Sequence, residues 1–183
     1  MTGQGQPIAV APLSRADIEK FALEVRRLLG LQDHQSVNML RLIELVLPLA
    51  LDGFAYEVVE DRELGDAEAT TSSTERLIKI SARCYAAARA RAGRAQFTLA
   101  HELGHLLIHC GKPFQMARGA VKAYANPEWQ ADCFAGAFLA PASEVRECRS
   151  VDEIAARFAI SKAAANVRAQ MCDLPFAQVK MRR

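Results

Sequence analysis

At 183 residues, 51% of them hydrophobic and 24% charged, the chain has the size and composition of one globular domain with a buried core. Its 23 basic and 21 acidic residues leave a net charge of +2, which excludes an electrostatic case for a nucleic-acid or membrane partner. The N-terminal MTGQGQPIAVAPLS lacks the basic segment and apolar run of a signal peptide, and no apolar run approaches the roughly 20 residues that cross a bilayer. Residues 1–13 are rich in Gly, Gln and Pro and are expected to be disordered. Ser14 and Asp17 then form an N-cap signature opening a helix, with Ile18, Phe21, Val25, Leu28 and Leu29 at helical spacing and Gly30 to stop it. A second helix is expected from near Ser36, carrying Val37, Leu40, Ile43 and Leu47 inward. FAYEVVE (54–60) reads as a strand, the polar stretch 61–75 as a loop, and RLIKIS (76–81) as a short edge strand. CYAAARARAG follows as a helix ending at Gly93, and the next helix runs from near Arg94 to Gly111, with Pro113 behind it. Residues 112–125 show no period and read as loop. NPEWQADCFAGAFLAP is a helix with Asn126 as N-cap, Pro127 at its first position and Pro141 as its stop. Two short helical patterns, VDEIAARF and SKAAANVRAQMC, close the chain.

The division expected from this pass is 1–13 disordered, 14–149 the main domain, and 150–183 a helical pair and tail with the spacing of a helix-turn-helix. Lys162 and Arg168 are too few for a DNA-reading face, so packing on the main domain is preferred and direct nucleic-acid binding is not expected. The fold class is α+β: a helix-rich domain whose small sheet packs on the histidine-bearing helix. Five scattered cysteines without a C-x-x-C pair suit reduced thiols in the cytoplasm, the expected location.

Three of the four histidines lie in FTLAHELGHLLIHC, four residues apart. His101 and His105 share one helix face, a spacing from which two imidazoles reach one ion at about 2.0–2.1 Å. Glu102 between them completes the H-E-x-x-H pattern of zinc hydrolases, two ligands and a general base. Gly104 would cost about 1 kcal/mol against alanine inside a helix and points to the close approach of a second helix or of substrate. A metzincin third ligand would fall at position 111, which is Gly111. His109 is expected to pack and bond to backbone, since a third ligand from one straight helix would lie too far along its axis. Glu128 is the better third ligand, with Asp132 one turn on to accept the free ring N–H of a ligand histidine. Taken alone, Glu128 could instead serve the helix dipole and Asp132 be solvated; beside H-E-x-x-H the ligand reading is preferred.

RAQFTLAHELGHLLIH followed by PEWQADCFAGAFLAP resembles the ImmA/IrrE metallo-endopeptidases, whose members share an F-T-x-A-H-E-x-G-H helix and an E-x-x-A-[ND]-x-F-A helix ending in proline. The resemblance covers about residues 36–145. It implies a zinc protease whose substrate is often a helix-turn-helix repressor encoded nearby, with His101, His105 and Glu128 at the ligand positions, Glu102 as base, and Zn²⁺ as the sole cofactor. Gln130 departs from the pattern, since many relatives carry a second acidic residue there. At this length no room is expected for the sensor-like C-terminal domain of larger relatives. Two functions follow as expectations. The first is a zinc endopeptidase in which Glu102 takes the proton of zinc-bound water, with Arg118, Lys122 or Tyr124 as weak candidates for oxyanion donor. The alternative is a non-catalytic regulatory module contacting a repressor or DNA, which would have no reason to keep Glu102 beside intact ligands.

Overall fold

The computed structural model describes residues 8–116 and 120–177. Helix α1 (Arg15–Leu28) begins as its sequence demands: the Ser14 hydroxyl accepts the Asp17 amide at 3.2 Å, and Gly30 turns the chain away at φ +70°. Its inward stripe is Ile18, Ala22 and Val25. Leu28, predicted to face inward, is 80% exposed, and Phe21 lies at the edge of the core with its ring 5.9 Å from that of Phe134. The buried Arg26 guanidinium takes the remaining place on that face, donating to the Phe138, Gln32 and Gln35 carbonyls and tying α1 to the loop behind it.

The next helical segment comprises α2 (Met39–Arg41), a π-helical turn at Leu42–Val46, and α3 (Leu47–Ala50). Pro48 has no N–H for the Glu44 carbonyl, and the wider turn lies directly ahead of it. Val37, Leu40, Ile43 and Leu47 are all buried, as their spacing predicts.

Strands β2 (Ala55–Val59), β3 (Ala69–Thr71) and β4 (Leu77–Ser81) form a three-stranded sheet in the order β2-β4-β3; a two-residue β1 (Ile8–Ala9) precedes α1. β2 runs parallel to β4 and β3 antiparallel to it, so the sheet is mixed. Two expectations fail here. RLIKIS is the central strand and not an edge, with Ile78 and Ile80 fully buried. The stretch read as loop holds α4 (Asp61–Leu64) and β3, because Ala-Thr-Thr offers no apolar alternation to signal a strand.

After α5 (Ala82–Arg89) comes α6 (Gly93–Ile108), which carries the histidines and lies against β3 and β4. The fold is thus helix-rich α+β with its small sheet on the histidine helix. Helix α7 (Pro127–Leu139) starts where Asn126 Oδ1 accepts the Glu128 and Trp129 amides, at 2.9 and 3.3 Å, and packs closely on α6. Gly104 permits that approach: a Cβ there would lie 3.1 Å from the Phe134 ring and 3.2 Å from Ala131 Cα. Of the two reasons considered for this glycine, helix packing is the one seen.

The short α8 (Ala142–Arg146) precedes α9 (Val151–Phe158) and α10 (Lys162–Met171). Arg168 is 2% exposed, donating from Nε to the Ala140 carbonyl at 2.8 Å and pairing with Glu19 at 2.7 Å, while Lys162 pairs with Asp152 at 2.7 Å. Arg168 is therefore taken up within the fold, while Lys162 stays at the surface in an exposed ion pair. The α9–α10 turn rests on the start of α6 at Gly93, where a Cβ would fall 2.5 Å from the backbone of Ile160 and Ser161. Gly93→Ala is expected to cost about 1–3 kcal/mol through overpacking, lowering the melting temperature by several degrees. Calorimetry or urea unfolding within about 0.5 kcal/mol of wild type would show that this contact yields freely.

Residues 8–13, assigned to disorder from composition, are bonded: β1 pairs with β5 (Gln115–Met116), the Val10 amide donates to Ala125 and the Leu13 amide to Tyr124, each at 2.9 Å. Residues 1–7 and Arg118 lie outside the described residues.

Candidate metal centre

The i,i+4 spacing on α6 brings His101 and His105 together with their Nε2 atoms 2.9 Å apart. Glu128, in the first turn of α7, reaches across so that one carboxylate oxygen lies 3.3 Å from His101 Nε2 and the other 3.4 Å from His105 Nε2. Tetrahedral coordination with bonds of about 2.0–2.1 Å separates neighbouring donor atoms by about 3.3 Å. Each Glu128 oxygen lies near that distance from one imidazole, and the two imidazole nitrogens lie closer together, so the donor types and their convergence suit an ion such as zinc. These three residues form a cluster whose candidate ligand atoms all lie within 4.8 Å of one another.

The electrostatics follow from this convergence. Burial alone would lower the His101 pKa, but hydrogen bonds with Asp132 and Glu128 outweigh it and raise it to about 9. The same two imidazoles hold the Glu128 carboxyl well below its usual range. A cation entering the cluster takes the place of those protons, as ligand deprotonation requires.

Each histidine is oriented from behind. His101 Nδ1 donates to Asp132 Oδ1 at 2.8 Å, one helical turn after Glu128. His105 Nδ1 lies 3.1 Å from His109 Nδ1, and His109 Nε2 lies 2.9 Å from Gln130 Oε1. His109 is buried as expected, but its partners are side chains and not backbone.

Glu102 is not one of the three converging donors. It is 8% exposed, and the Thr71 hydroxyl at the end of β3 lies 2.7 Å from its Oε2 and 2.9 Å from its backbone carbonyl. Burial pushes the Glu102 carboxyl up, against the opposing pull of Thr71 and the two histidines. Thr71 escaped the sequence analysis because β3 did; nothing in TTSSTE marks one threonine above its neighbours. Of the oxyanion candidates, Lys122 stacks its ammonium 5.8 Å from the Tyr124 ring centroid, and the Tyr124 carbonyl is engaged by Gln130.

Two imidazoles and a carboxylate converging from crossed helices, with a separate buried carboxylate alongside, make a site of the metallopeptidase type. The chain belongs to the Peptidase_M78 family, described as the IrrE N-terminal-like domain, whose profile matches residues 67–170. Peptidases of that family are metallopeptidases. The fold is similar to that of a solved Mycobacterium tuberculosis transcriptional regulator, with a TM-score of 0.61 and 17% identity over 90% of this chain. The chain spans 49% of that protein's length. No curated protein matches it.

Proposed function

We propose that the chain is a zinc-dependent endopeptidase hydrolysing a peptide bond in a protein substrate, a helix-turn-helix transcriptional repressor encoded beside it. The observation that carries the reading is the separation of roles: His101, His105 and Glu128 turn to a common point, while Glu102 stays out of that set as a buried carboxylate held by Thr71. His101, His105 and Glu128 would hold zinc, which would supply Lewis acidity to the attacking water and to the peptide carbonyl. Glu102 takes a proton from the attacking water and returns it to the leaving amine. Thr71 keeps the Glu102 side chain in one orientation, and Asp132 keeps the His101 ring in place through Nδ1. An apolar groove of about 430 Å³ between α6, α7 and α10, lined by Phe97, Trp129, Val167 and Met171, runs up to Asp132 and suits an apolar side chain of the substrate.

The repressor as substrate rests on the resemblance to the ImmA/IrrE enzymes; the structural neighbour's description as a transcriptional regulator belongs to that protein. Among the described residues no helix is long and apolar enough to cross a membrane, and all five cysteines are free, which accords with a cytoplasmic setting. Incubating the zinc-loaded chain with the neighbouring repressor is expected to give a defined fragment, read by mass spectrometry. Relief of repression in cells with the repressor left intact would favour the non-catalytic regulatory module instead.

A further inference from the structure

The amide of Gln130 is held from three directions. Its Nε2 donates to the Tyr124 carbonyl at 2.7 Å and the Ala11 carbonyl at 2.9 Å, and its Oε1 lies 2.9 Å from His109 Nε2. Backbone carbonyls only accept, so both amide protons are committed to them and the oxygen must face His109. An amide oxygen carries no proton; His109 Nε2 therefore carries it and donates. An imidazole that donates through Nε2 alone accepts through Nδ1. The group 3.1 Å from that atom is His105 Nδ1, which must donate. His105 Nε2, the atom that faces His101 and Glu128, is then the one that gives way to a cation and offers it a lone pair.

We infer that Gln130 and His109 are positioning residues that impose the Nδ1–H tautomer on His105 and so present its Nε2 to the metal. The inference rests on the metal-site reading of His101, His105 and Glu128. Its origin lies outside the cluster, in the carbonyls of Ala11 and Tyr124, which decide which way an amide points. The segment before α1, the loop before α7 and the end of α6 are thereby joined to one ring nitrogen. Outer partners of this kind typically tune metal affinity by 10–100-fold.

Two substitutions separate this role from simple anchoring. His109→Leu removes the acceptor of the His105 Nδ1 proton but leaves the Gln130 amide on the Ala11 and Tyr124 carbonyls; Gln130→Leu loses all three contacts. If Gln130 only anchors those two segments, both variants should bind zinc as wild type does, with Gln130→Leu merely less stable. If the relay sets the tautomer, both should bind zinc roughly 10–100-fold more weakly, measured by competition with a chromophoric chelator. The zinc-loaded wild type, with ¹⁵N-labelled histidine, supplies a readout that needs no variant. Long-range ¹H–¹⁵N spectra should show His105 protonated at Nδ1 and His109 at Nε2. A His109 protonated at Nδ1, or equal zinc affinities for wild type and Gln130→Leu, overturns the inference. Failure of the wild type to bind zinc would instead overturn the metal-site reading beneath it.

Discussion

Glu102→Gln is expected to retain zinc and lose hydrolysis by about 10²–10⁴-fold, the usual contribution of a general base. The structure says why the substitution should be clean. The Glu102 carboxylate lies outside the three-donor cluster, so its charge is not spent on the ion. Glutamine has the same shape, and its amide oxygen can accept the Thr71 hydroxyl as Oε2 does at 2.7 Å. What the amide cannot do is take a proton from the attacking water. Turnover of a fragment-yielding substrate within tenfold of wild type would remove Glu102 from the base role. Loss of zinc in the variant would make it a ligand.

The parts of this site that could be read from the sequence are those whose signals are local. His101, Glu102 and His105 announce themselves by spacing on a helix of sixteen residues. Glu128 could be placed because Asn126 and Pro127 mark the start of α7 so plainly that its first-turn side chains are known before any fold is. The caps at Ser14 and Asn126 likewise needed no tertiary information. What escaped depends on pairing. Whether RLIKIS is central or an edge is decided by β3, a strand too short and polar to have a period of its own. The contacts of Thr71 and Gln130 exist only once β3 and α7 lie against α6. His109 was expected to bond to backbone partly for the same reason: Gln130 sits 21 residues away on another helix, where no spacing rule reaches, although its contact with His105 four residues back follows ordinary helical spacing. Leu28 shows the converse error. Helical periodicity names a candidate face, but Arg26 was buried on it through three backbone carbonyls, a use of arginine that hydrophobic patterning does not anticipate.

The other large effect is expected at Glu128, where two explanations differ in magnitude. As a first-turn acid it favours the helix dipole, worth about 0.3–1 kcal/mol of folding stability and nothing in metal binding. As a ligand it carries one share of a binding energy that runs to about 10–16 kcal/mol for four-ligand zinc sites, or roughly 3 kcal/mol per ligand, which is about 10²–10³-fold in Kd. Glu128→Ala should therefore weaken zinc binding by that factor. The consequence for stability follows by mass action. At free zinc one hundred times the wild-type Kd, binding adds about 2.7 kcal/mol to the folded state, a rise in melting temperature of about 5–10 °C for a chain of this size. At the same zinc concentration a variant with hundredfold weaker binding gains only about 0.4 kcal/mol, and its melting temperature should rise by no more than about 2 °C. Differential scanning calorimetry of both proteins, each with zinc and with a chelator, reads the two explanations at once. A small drop in the chelated state with the zinc-induced rise abolished supports the ligand; the same small drop with the full rise preserved leaves Glu128 to the helix dipole and the metal to other donors.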